Sequence, residues 1–276
     1  EKLSKIQGII DSSVAIKEYH DSLAQLLEYQ KQDFKGLLKC MKGKPVIIRL
    51  LDPPLHEFLP SYEELLVETT ELKMQSKGSK ELAEKERVLR QVNALREVNP
   101  MLGLRGVRLG ILFKEIYQMQ VKAIMSSACD LANEGVDARP EIMIPLVGHI
   151  NELKTVRAEL NEVVKEIQES KGVEIDCKFG TMIEVPRAAL TADEIVKYAE
   201  FFSFGTNDLT QATFGYSRDD AEGKFLMHYV RRKILENNPF QILDRQGVGS
   251  LMEIAVKKGR EVKPNLEIGI CGEHGG

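Results

Sequence analysis

Apolar residues fall along this chain in two alternating rhythms. Short β-branched or aromatic runs are separated by longer stretches whose apolar positions lie three and four apart. The first stretch, 2–41, has the helical rhythm, with Leu23, Leu26 and Leu27, then Phe34, Leu37, Leu38 and Met41 on one face. Gly43 and Pro45 end it. Val46-Ile47-Ile48-Arg49-Leu50-Leu51-Asp52 reads as a buried strand that Pro53-Pro54 stops. Ser61 with Glu64 predicts a capping box opening a helix to about Gln75. Lys77-Gly78-Ser79 breaks the pattern, and 80–97 is helical again with a charged, solvated face. Met101–Val107 predicts a short strand carrying Arg105, and 109–134 one long helix capped by Gly135. Beyond it come a strand at 141–147, a helix at 150–170 and a strand at 179–185. A helical region with a capping box at Thr191–Glu194 precedes a strand at 201–205. Short helices, a helix at 248–258 and a strand at 267–271 complete the pattern.

Strands alternating with helices predict an α/β fold with a parallel sheet covered on its faces. No linker interrupts 44–276, so 1–43 reads as a helical lead-in and 44–276 as one domain. The length of 276 residues suits a complete (β/α)8 TIM-type barrel of about 250 residues. Six strands do not close such a barrel. The expectation is an incomplete one, with about strands two to seven present and the first and eighth missing. The strands at 45–52 and 267–271 then expose unpaired edges, which predicts poor solubility for the chain alone. The chain opens at Glu1 and stops at Gly275-Gly276 just behind a strand, so both ends read as cut.

Composition narrows the function classes. A net charge of −4 leaves no electrostatic footprint for nucleic acid. The longest apolar run, Ile142–Val147, is far too short to span a membrane. Cys40, Cys129, Cys177 and Cys271 form no CxxC pair, which fits a reduced, cytoplasmic setting, a plastid or other organelle being compatible.

In barrels of this kind chemistry collects at the carboxyl ends of strands. Those ends carry Arg49 and Asp52, Arg105 and Arg108, Glu184, then Gly205-Thr206-Asn207-Asp208, and Cys271-Gly272. Glu184 and Asp208 follow consecutive strands, and two carboxylates without His or Cys suit a hard cation such as Mg²⁺. The alternative is a structural ion pair with Arg49 or Arg105. Arg49 sits in an apolar strand and needs an anionic partner: Asp52, Glu184 or a ligand. Cys271, on a glycine-rich strand end, could act as acid or nucleophile; the alternative is a small buried hydrophobe.

Taken together, the segments Leu51-Asp52-Pro53-Pro54-Leu55-His56-Glu57-Phe58-Leu59-Pro60, Thr181–Ala188, Phe202–Gln211 and Cys271-Gly272-Glu273-His274-Gly275-Gly276 resemble the phosphoenolpyruvate/pyruvate-binding domain of the pyruvate, phosphate dikinase family. Phosphoenolpyruvate synthase and enzyme I of the sugar phosphotransferase system have related barrels, but the LDPPLHEF run and the CGEHGG ending point to the dikinase. The resemblance implies a phosphotransferase that interconverts ATP, phosphate and pyruvate with AMP, diphosphate and phosphoenolpyruvate. It implies Mg²⁺ held by Glu184 and Asp208, and Arg49, assisted by Arg105, on the substrate and the phosphoryl group in flight. It further implies Gly205, Thr206 and Asn207 lining the substrate and Cys271 as proton donor. Implied partners are a swivelling phosphohistidine domain, an ATP-grasp domain and a second copy in a homodimer.

The sequence also departs from the family pattern. The family's GLxRTEHMF segment with a further Arg, its eighth strand and its phosphohistidine motif do not occur, and Leu104 stands where the GxRG segment is expected to carry His. Alone, the chain is not expected to turn over. The competing reading is a non-catalytic pyruvate-binding scaffold.

Overall fold

The computed structural model describes residues 13–54, 57, 59–75 and 79–275. The first helix, α1 (Ser13–Cys40), covers most of the expected stretch; residues 2–12 lie outside the described residues, as do Leu55, His56 and Phe58 of the proline-rich motif and Lys77-Gly78. The strands are β1 (Pro45–Arg49), β2 (Arg139–Ile144), β3 (Lys178–Ile183), β4 (Phe201–Gly205) and β5 (Glu267–Cys271). They pair in sequence order, all parallel, in one curled half-barrel sheet flanked by helices, an incomplete (β/α) barrel.

Among the described residues there are five strands, not six. The expected strand at 101–107 is a 3₁₀ turn at Pro100–Leu102 and a loop, followed by helix α4 (Val107–Leu112). Val107, the last residue of the expected strand, is fully buried on that helix instead. Gly106 forces the change, since its φ of +56° turns the chain where a strand would run straight. The long helix expected over 109–134 is likewise two: α4 and α5 (Lys114–Asn133), separated at Phe113, which leaves helical geometry at φ −127°, ψ 62°.

The chain divides into two compact units, 1–23 with 53–105, and 24–52 with 106–276. The first contains a helical hairpin, α2 (Tyr62–Gln75) and α3 (Lys80–Leu95). Its helices are laced by ion pairs, Lys73–Glu86 at 2.8 Å and Lys85–Glu68. Ser61 accepts the Glu64 amide at 3.3 Å and Ser79 the Leu82 amide at 3.1 Å, so both helices begin on the serines their sequences offer.

The second unit holds the sheet and the helices α6 (Ile150–Lys171), α7 (Pro186–Leu190), α8 (Ala192–Ile195), α9 (Thr206–Phe214), α10 (Arg218–Lys224), α11 (Leu226–Arg231) and α12 (Val248–Val262). The expected capping box at Thr191 does not form: the Thr191 hydroxyl donates back to the Arg187 carbonyl at 2.9 Å. One does form where none was expected, at His149 and Glu152, opening α6.

Alternation along each strand separates two faces. Val46 and Ile48, Ile142 and Ile144, Phe179 and Ile183, Phe202 and Phe204 point outward into a large core with α5, α6, α8 and α12. Met143, Met182 and Phe201 form a smaller inner cluster, with Cys271 packed on it. Among the described residues no helix is long and apolar enough to cross a membrane. Phe202 is fully buried and its ring lies so close to Gly259 of α12 that a β-carbon there would sit 3.0 Å away. Phe202→Ala should therefore cost about 3–5 kcal/mol of unfolding free energy, measured by urea denaturation.

Candidate active site

The period of two that buries Met143 and Met182 also fixes the chemistry. Arg49 pairs in register with Met143, and Gly205 with Cys271. Glu184 follows Met182 by two. Arg49, Glu184, Gly205 and Cys271 therefore share the inner face at the carboxyl end of the sheet.

Arg49 Nη1 donates to Asp52 Oδ2 at 3.0 Å. Asp52 is buried, so of the partners the sequence offered, this one satisfies the guanidinium inside the fold. The Arg49 side chain is still 47 % exposed, and its guanidinium carries further donors for an anion.

Glu184 is 1 % exposed, and its Oε1 accepts the Leu146 amide at 2.6 Å. Leu146 reaches that position only with φ +61°, a left-handed conformation costly for a branched side chain. Gly106 packs against it; a β-carbon there would stand 2.8 Å from Leu146 Cβ and 3.0 Å from Asp52 Oδ1. The Gly106 amide donates to Asp52 O at 3.3 Å and the Val107 amide to Pro145 O at 3.1 Å. The ends of β1, β2 and β3 are stitched together through these bonds.

Gly205 is small for the same kind of reason. A β-carbon would collide with Glu184 Oε2 and approach the Met182 methyl to 2.6 Å. Thr206 is buried, while Asn207 and Asp208 are partly exposed in the first turn of α9. Gln211 Nε2 donates to Asp208 Oδ1 at 3.2 Å.

Cys271 is half-buried, its Sγ 3.3 Å from the Phe204 carbonyl. Burial pushes its thiol above the ordinary 9.0, a hydrogen bond with Ser203 lowers it, the Glu184 and Asp208 carboxylates raise it and the Arg49 guanidinium lowers it. One sulfur thus feels three of the other candidate groups. Arg105 lies in the first unit, buried, with Nη1 at 3.9 Å from Met101 Sδ; it sits in a loop and Arg108 on α4, not on a strand. Among the described residues no group of three or more His, Cys, Asp or Glu side chains could hold a metal.

Several contributors carry no signal in the sequence. Leu146 acts through its backbone, and Ser203 is one small residue inside an aromatic strand. His274 Nδ1 lies 2.8 Å from the Thr206 hydroxyl.

The model of the family described as PEP-utilising enzyme, PEP-binding domain matches residues 9–276. The chain belongs to that family. It is 54 % identical over 277 residues to a pyruvate, phosphate dikinase of Entamoeba histolytica, covering all of this chain and 31 % of that protein. It is 52 % identical over 270 residues to pyruvate, phosphate dikinase 1, chloroplastic, of Arabidopsis thaliana (96 % of this chain, 27 % of that protein). It is 50 % identical over 277 residues to the pyruvate, phosphate dikinase of Clostridium symbiosum (all of this chain, 30 % of that protein). The chain therefore spans less than a third of the length of these relatives.

For this PEP-binding domain the charges around Cys271 give a signed prediction. Glu184→Gln keeps an oxygen for the Leu146 amide and removes a charge that raises the thiol pKa, so the pKa of Cys271 should fall. Arg49→Met should raise it. The pH dependence of iodoacetamide alkylation at Cys271, resolved by peptide mass, reads both directions.

Proposed function

We propose that this chain carries the pyruvate half-reaction of a pyruvate, phosphate dikinase: phosphoryl transfer between a phosphohistidine on another domain and the enolate of pyruvate. In the full enzyme this completes the conversion of ATP, phosphate and pyruvate to AMP, diphosphate and phosphoenolpyruvate. The ATP-grasp and phosphohistidine domains belong to the length of the relatives that this chain does not span. The observation that carries the reading is the shared inner face of Arg49, Glu184, Gly205 and Cys271 at the carboxyl end of the half-barrel.

Glu184 and Asp208 would hold Mg²⁺. They fit it: both are hard oxygen donors at neighbouring strand ends, and Mg²⁺ takes one or two carboxylates with substrate and water supplying the rest. When bound, it supplies a Lewis acid for the negative charge that develops on the substrate oxygens. Arg49 binds the carboxylate of the substrate and the phosphoryl oxygens with donors not used on Asp52. Arg105 is the second guanidinium that the family resemblance assigns to the phosphoryl group. Gly205 keeps the floor of the site open, and Thr206 and Asn207 line the substrate. Cys271 delivers its Sγ proton to the methylene carbon of the enolate when phosphoenolpyruvate is dephosphorylated, and takes a proton from the methyl group of pyruvate in the reverse direction.

The raised thiol pKa fits the donor role, because the group stays protonated at neutral pH. The sign follows. In the direction that forms pyruvate, the rate should fall as pH rises above the ordinary thiol value. In the direction that forms phosphoenolpyruvate, which needs the thiolate as base, it should rise over the same interval. Cys271→Ala in the full-length enzyme should abolish turnover in both directions while leaving Mg²⁺-dependent binding of oxalate, a planar mimic of the enolate, intact by calorimetry. A folded wild-type protein that binds no oxalate with Mg²⁺ present would make the scaffold reading the better one.

A further inference from the structure

Beyond the strand ends, Arg218 opens α10 and touches both of the segments that carry Asn207, Asp208 and Cys271. Its Nη1 donates to Asn207 Oδ1 at 3.3 Å and its Nη2 to Glu273 Oε2 at 2.7 Å. Its backbone amide donates to Gln211 Oε1 at 2.8 Å, and the other end of the same Gln211 amide donates to Asp208. Nε donates to Glu222 Oε2 at 3.2 Å, and Glu222 is anchored in turn by Asn238 at 2.7 Å. The guanidinium lies 5.5 Å from the centre of the Phe240 ring. Its position is thus fixed by its own helix, by an anchored carboxylate and by an aromatic face, and its remaining donors point at the site.

The need for such a fixture lies in the end of β5. The sheet ladder stops at the Gly205–Cys271 pair, and Gly272 leaves it with φ +92°. The following turn closes on itself through the Gly275 amide and the Gly272 carbonyl. Its docking onto the neighbouring segment runs through side chains: the Thr206 hydroxyl to Cys271 O at a long 3.4 Å, His274 to that same hydroxyl, and Arg218 to Glu273. The ion pair is the shortest of these.

We propose that Arg218 is a positioning residue: through Glu273 and Asn207 it holds the turn behind Cys271 against the segment bearing Asp208, and so sets where the thiol stands relative to the substrate. This rests on the reading of Cys271 as proton donor. Arg218 acts through its neighbours and donates nothing to the reactants.

Glu273 is largely exposed, so Glu273→Gln removes the pair without threatening the fold. In the full-length enzyme it should lower kcat for phosphoenolpyruvate dephosphorylation about tenfold at unchanged KM, as misplacement of a catalytic group does. It should also speed iodoacetamide alkylation of Cys271 roughly threefold as the turn loosens. Exposed Cys40 serves as the internal reference and should not change. Arg218→Met should do both and also raise KM, because Asn207 loses its partner, and the double variant should be no worse than Arg218→Met. Arg218→Lys, which can hold Glu273 but not all three oxygens at once, should fall between.

Unchanged kcat and unchanged Cys271 alkylation in Glu273→Gln would overturn the proposal, as would penalties that multiply in the double variant. Failure of the proton-donor reading looks different: Cys271→Ala would turn over normally while Glu273→Gln still exposed the thiol.

Discussion

The hydrogen bond from the Leu146 amide to Glu184 is the constraint from which the rest of the site follows. At 2.6 Å to a carboxylate with 1 % exposure, it is short, charge-assisted and shielded from water. To make it, the chain leaving β2 must turn left-handed at a leucine, a strain of about 1–3 kcal/mol. The strained turn leaves no room for a side chain at the facing position, so Gly106 stands there and starts α4 on a backbone that only glycine adopts comfortably. That same glycine gives its amide to Asp52, whose carboxylate holds Arg49. A single buried carboxylate thereby determines the approach of three strand ends, and with it the place of the guanidinium.

The opposing electrostatic effects at Cys271 follow from the same placement. The inner face is apolar lower down, where Met143, Met182 and Phe201 fill it, and charged only at its rim. A thiol at the boundary is partly desolvated, and two carboxylates and a guanidinium act on it with opposite sign. Burial and the carboxylates hold the proton on sulfur; Arg49 and Ser203 keep it removable. Burial is the largest of these effects, and the net result is a thiol held above its ordinary pKa.

Much of this was legible in the sequence, and what was not has physical reasons. The five strands announce themselves as short apolar runs, and β2, β3 and β4 are buried on both faces. The groups at their ends could be gathered because the fold class says where strand ends point. The strand at 101–107 misled because Met101, Leu102, Leu104 and Val107 are as apolar as strand residues, and the positive φ at Gly106 turns the chain so that Val107 begins a helix. Strand ends were read too long at Leu50–Asp52 and Pro145–Val147. Leu50, Leu51 and Pro145–Val147 are apolar, but the Leu51 amide goes to Gln120 and the Leu51 carbonyl takes the Tyr117 hydroxyl, side chains far along the chain. The break at Phe113 has no local breaker. The partners Gln211 and Arg218 lie in an unremarkable polar stretch and acquire meaning only when β4 and β5 are set side by side.

That juxtaposition also explains why the two halves of the site are secured differently. Arg49 and Glu184 sit where backbone amides and carbonyls of adjacent strand ends interlock, so the peptide chain itself holds them. Cys271 ends β5, which among the described residues pairs with β4 alone. A strand with one neighbour has half the ladder to fix its end, and a glycine that leaves the ladder at φ +92° adds freedom rather than constraint. Position must then come from side chains, and a planar, multidentate one serves best because each added bond costs little further ordering. Arg218 has that form, is held by Glu222 and Phe240 before it reaches the turn, and meets Asn207 and Glu273 from a single plane. The stiff part of the site is made by backbone, the adjustable part by a guanidinium, and Cys271 stands on the adjustable part.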